Sequence, residues 1–102
     1  SDHPEIPKYQ VDLACTYTDL GSMLDSPTKH KETEEAFRAA LEIRERLASK
    51  YPAVAEFRRD LAAGLNNLGA FYDNLEQWEQ GRQMLERGLE LRRQLAQAQA
   101  NE

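Results

Sequence analysis

The chain has 102 residues, 40% hydrophobic and 30% charged, with a formal charge of −5, the length and composition of one globular domain. That negative balance excludes nucleic acid as a main partner, because phosphate contacts need clustered lysine and arginine. The single cysteine, Cys15, excludes an internal disulfide framework, and no run approaches the roughly 18 apolar residues of a membrane span.

Leu, Ala, Glu, Arg and Gln dominate while Val and Thr are sparse, a bias toward residues that lose little on entering a helix. In chain order, Ile6, Tyr9, Leu13, Tyr17, Leu20 and Leu24 step by three or four residues, the apolar stripe of a helix over about 5–25. Asp25-Ser26-Pro27-Thr28 is a turn cluster carrying a helix-start residue. A second helix is expected over about 29–50, from Phe37, Ala40, Leu41, Leu47 and Ala48, widened by Ala36 and Ile43 and stopped by Pro52. Val54, Phe57, Leu61, Leu65, Leu68 and Tyr72 predict a third over about 53–73. After a turn near Asn74, Trp78, Leu85, Gly88, Leu89, Leu91, Leu95 and Ala96 predict a fourth over about 76–98.

The halves repeat one another. Asp12-Leu13-Ala14 recurs 48 residues on as Asp60-Leu61-Ala62, Leu20-Gly21 as Leu68-Gly69, Leu41-Glu42 as Leu89-Glu90, and Leu47-Ala48 as Leu95-Ala96. One register holds without a gap, giving one domain with a first unit at about 4–51 and a second at about 52–99.

Within each unit, Tyr17, Leu20, Gly21, Leu24, Thr33, Phe37 and Ala40, and then Leu65, Leu68, Gly69, Tyr72, Gly81, Leu85 and Gly88, resemble the tetratricopeptide repeat. The wording NNLG, ALEIRERLA and P…FRRDLA resembles the long-helix repeats of kinesin light chains and of bacterial multidomain proteins. Thr33 stands where the family has a small alanine, Leu85 where it has an aromatic, and Thr28 and Glu76 where a turn glycine is common. The period exceeds the family's 34 residues by about four helical turns, two for each helix of a pair. The resemblance implies an all-α, right-handed solenoid of two helix-turn-helix repeats with four antiparallel helices.

It also implies a concave groove, formed by the first helix of each unit, that binds a peptide or helix of a partner protein. The groove residues would be Cys15, Thr18, Asp19, Ser22 and Asp25, then Ala63, Asn66, Asn67, Ala70 and Asp73. Asparagine both donates and accepts, so it can hold a ligand backbone in either direction; it can equally bond to a neighbouring helix. Chaperone-binding members grip a terminal carboxylate with lysine or arginine here, and no basic residue occupies these positions, so that specificity is rejected. An acidic groove would prefer a partner bearing Lys or Arg.

No catalytic constellation, cofactor or metal is expected. Two histidines and one cysteine, far apart in sequence, match no zinc spacing; KETEE is a solvated helix start favoured by the dipole. Trp78 is expected to pack at an inter-helix turn, and His30 to be exposed. The N-terminal SDHPEIPKY carries no apolar signal region, and a cytoplasmic protein is expected. A rival to the binding reading is a self-association segment: Met84, Leu91 and Leu95 form a second apolar line on a helix with no successor in the chain. That line would be covered in a homodimer or by neighbouring repeats of a longer array.

Overall fold

A computed structural model describes residues 8–24 and 27–100. Among them are four α-helices and no strand: α1 (Lys8–Met23), α2 (His30–Lys50), α3 (Ala55–Asn74) and α4 (Trp78–Ala100), with one 3₁₀ turn at Pro27–Lys29 before α2. The protein is all-α, as the periodicity predicts.

The helices pack mainly in chain order, α1 on α2, α2 on α3 and α3 on α4. The body is flat, 45 × 29 × 16 Å between Cα atoms. One core cluster joins α2 to α3 and is built on Leu41, Leu61, Leu65, Leu68, Phe71 and Tyr72. A second gathers Ala14 of α1, Ala40, Ile43 and Leu47 of α2, and Phe57 of α3. Burying one such Leu or Phe side chain contributes about 1.5–3 kcal/mol, so α3, whose Leu65 and Leu68 have no exposed surface, anchors the fold.

Two helix joins show why the sequence turns where it does. The Tyr51 N–H closes α2 on the Leu47 carbonyl, and Pro52 follows. At the end of α3, Gln77 N–H donates to Tyr72 O and Glu76 N–H to Asp73 O, both at 2.9 Å, the paired bonds of a Schellman cap. Glu76 sits at φ 61°, in the left-handed region that favours glycine. Where α1 crosses α2, Gly21 lies so close to Phe37 that a Cβ there would stand 2.7 Å from the ring, which lets α1 lie down on α2.

Four sequence expectations are corrected by the packing. The stripe Tyr9, Leu13 and Leu20 does not face the core: all three are exposed, and α1 instead buries Ala14 and Gly21 with Val11 and Tyr17 beside them. Small residues at Ala14 and Gly21 let α2 approach, which turns the large ones outward. Met84 and Leu91 pack against the α2–α3 core cluster and Leu95 is buried, so they are not an uncovered line; Leu89 is exposed instead. Trp78 is 62% exposed at the first residue of α4 rather than packed in a turn. His30 is half-buried, its ring edge-on to Phe71 at 6.1 Å between centroids.

Candidate functional site

Between α1 and α3 lies a cleft of about 210 Å³, lined by Gly21 and Ser22 of α1, Thr33 and Phe37 of α2, and Asn67, Ala70, Phe71 and Asn74 of α3. Its position follows from the packing. α1 and α3 both lean on α2, so a furrow is left between them with α2 at its base. Glycine at position 21 keeps the α1 wall thin. Phe37 and Phe71 meet edge to face, with centroids 6.1 Å apart, and supply an aromatic surface.

The base also carries a polar feature. Thr33 is 1% exposed, and its Oγ1 has no hydrogen-bond partner among the described residues. A buried hydroxyl left unpaired costs about 1–3 kcal/mol. Ser22, Asn67, Ala70 and Asn74 at the sides are exposed or half-buried. Hydroxyl and amide groups that both donate and accept therefore surround an apolar patch, which suits a polypeptide backbone carrying a small apolar side chain.

Of the groove residues read from sequence, the structure brings Ser22, Asn67 and Ala70 together. Thr18 is half-buried and its hydroxyl donates to the Ala14 carbonyl at 3.0 Å within α1. Cys15, Asp19, Ala63 and Asn66 are exposed and are not part of the cleft lining. Asp73 is turned to α4, where its carboxylate occupies the space above Gly81; a small residue there draws the carboxylate away from the furrow. Asp25 lies outside the described residues. The lining is consequently uncharged, and among the described groove residues the exposed carboxylate is Asp19, on α1 outside the cleft.

Asn74, Thr33 and the aromatic pair were not singled out as site residues from sequence. Asn67, Ala70, Phe71 and Asn74 are spaced by three, four and seven residues, one face of a helix, and that spacing was the available signal.

A polar network stands at the α2–α3 contact. Tyr72 Oη donates to Glu34 Oε2 at 2.5 Å, and Arg38 donates through Nη2 to Tyr72 Oη and through Nε to Glu34 at 3.2 Å. The Tyr72 hydroxyl, with help from Arg38, holds the Glu34 carboxyl below its ordinary value. This network fastens α2 to α3.

Among the described residues no group of three His, Cys, Asp or Glu side chains is placed to hold a metal ion, and no helix is long and apolar enough to cross a membrane. No protein-family model, curated protein or solved structure matches the chain.

Proposed function

We propose that this protein is a non-enzymatic protein-interaction module, a right-handed solenoid of two tetratricopeptide-like repeats that holds a peptide segment of a partner in the cleft between α1 and α3. The observation that carries the reading is the furrow itself: Ser22, Asn67 and Asn74 bring hydroxyl and amide groups to the sides of an apolar base, and the buried Thr33 hydroxyl beneath them has no hydrogen-bond partner among the described residues. Docking that uncovers this hydroxyl to a ligand carbonyl or amide would satisfy it and recover its desolvation cost. The chain-order packing and flat body support the solenoid. The net charge of −5 and the exposed Asp19 favour a partner with basic residues beside the docked segment. A single exposed free cysteine fits a reducing compartment such as the cytoplasm.

Selection of a displayed random-peptide library on the immobilised protein tests this. Peptides sharing a short motif are expected, and Ala70→Trp, which fills the cleft from an exposed position, is expected to abolish their binding. No enriched motif, or binding that survives Ala70→Trp, would overturn the reading. Asp19→Lys is expected to weaken peptides with basic flanks and leave neutral ones unchanged.

A further inference from the structure

The exposed apolar residues of α1 are not scattered. Tyr9, Leu13, Leu20 and Met23 are 68%, 40%, 42% and 83% exposed, and their spacing puts them in one line along the helix. The internal repeat supplies the meaning of that line. Forty-eight residues later the same positions are Phe57, Leu61, Leu68 and Phe71 of α3, every one buried. What buries them is α2: Phe57 clusters with Ala40, Ile43 and Leu47, and the others with Leu41 and Phe37.

Part of the covering face of α2 has an exposed counterpart on α4, while the counterparts of Ile43 and Leu47, Leu91 and Leu95, are turned inward. Leu41 corresponds to Leu89, Arg44 to Arg92 and Ala48 to Ala96. Leu41 is buried against α3, whereas Leu89 is 67% exposed and Arg92 and Ala96 are exposed too. Charge follows the same pattern. Burial pushes the Asp60 carboxyl up, a rise the nearby Arg44 cation only partly offsets; the equivalent pair is Asp12 on α1 and Arg92 on α4. The described helices thus present two unlike surfaces: that of α1 corresponds to the α3 half of the α2–α3 contact, and that of α4 to the part of the α2 half built on Leu41, Arg44 and Ala48.

We infer that the chain self-associates head to tail, the outer face of α4 in one copy covering the outer face of α1 in the next and repeating the α2–α3 contact. The surfaces are different, so the contact is heterologous and adds copies without closing on itself at two. It uses the side of α1 that carries Leu13 and Leu20, not the side that carries Ser22, and therefore stands or falls independently of peptide binding. Thr16 replaces Gly64 at the point where Leu41 meets α3, so the intermolecular contact is looser than the internal one.

Sedimentation velocity of the whole chain from micromolar to millimolar concentration tests this. The average mass is expected to rise past that of a dimer. Leu20→Glu and Leu89→Glu each change an exposed residue, and each is expected to weaken the association by about tenfold or more. Their mixture is expected to form a one-to-one dimer, because each variant keeps the face that the other lacks. A mass that stays monomeric throughout, or a mixture that stays monomeric when the unmodified chain associates, would overturn the proposal. An association unaffected by Leu89→Glu would assign it to two α1 faces instead and overturn it as well. Thr16→Cys with Leu89→Cys in a Cys15→Ser background is expected to give a disulfide-linked ladder; linked dimers alone would contradict an open contact.

Discussion

Gly69 of α3 and Gly81 of α4 oppose each other backbone to backbone. A Cβ added to Gly69 would stand 3.1 Å from the Gly81 carbonyl oxygen, and one added to Gly81 would stand 3.0 Å from that of Gly69. Alanine suits a helix better than glycine by roughly 1 kcal/mol, yet the crossing forbids it here. A Cβ at Gly81 would also run into the Asp73 carboxylate. Gly81→Ala is expected to lower stability by about 1–3 kcal/mol. Gly64→Ala is expected to raise it by about 0.5–1 kcal/mol, since the nearest atoms are the ends of the Arg44 and Leu41 side chains at 3.3 and 3.4 Å. Urea unfolding of the two variants checks the opposite signs.

Tyr72→Phe removes the hydroxyl that bonds Glu34 and Arg38 while keeping the buried ring. A loss of about 1–2 kcal/mol is expected at neutral pH. The folded carboxyl of Glu34 lies below its unfolded value, so the unfolded chain binds more protons in that window and stability rises with pH. The contribution is complete above the unfolded value, near 4.3, and disappears as pH falls through the lower folded one. The gap between Tyr72→Phe and the unmodified protein should therefore narrow below about pH 4. A gap independent of pH from 7 to 3 would contradict the network.

Glu76→Gly relieves a non-glycine residue at φ 61° without touching the Schellman bonds, which are made by the backbone. Left-handed backbone costs an ordinary residue roughly 1–2 kcal/mol, partly offset by the greater freedom of glycine in the unfolded chain. A rise of about 1 kcal/mol is expected, or about 4–8 °C in the melting temperature. Thermal denaturation followed by circular dichroism checks it.

Thr33→Val keeps the shape of the side chain and deletes the unpaired hydroxyl. Stability should rise by about 1 kcal/mol, while affinity for a cleft-binding peptide should fall. The opposing changes separate a group kept for a ligand from one that merely fills space. Calorimetric titration and unfolding of the same variant measure both.

The helices were legible because their apolar residues recur with helical period and their breaks carry Pro52 and the Asp25-to-Thr28 cluster. The offset of 48 residues between halves was legible too, and it explains why Leu20 and Leu68 share a position. It could not say that Leu68 is covered and Leu20 exposed, because periodicity marks a face as apolar without naming its neighbour. The α4 line failed for a related reason: Met84, Leu91 and Leu95 lie inward toward α3, and rotation about a helix axis is set by which small residues meet. Gly69 and Gly81 determine it here. Ser22, Asn67 and Ala70 were legible as one surface, but Asp73 was not, since its displacement toward Gly81 depends on the absence of a side chain on another helix.

The central claim is that the furrow between α1 and α3 is where a partner docks. Amide chemical-shift mapping on the isotopically labelled chain, titrated with a library-selected peptide, tests it most directly. The account predicts the largest shifts at Ser22, Asn67, Ala70, Phe71 and Asn74, with Thr33 gaining protection from hydrogen exchange. Shifts centred on α2 and α4, with these five residues unmoved, would contradict it.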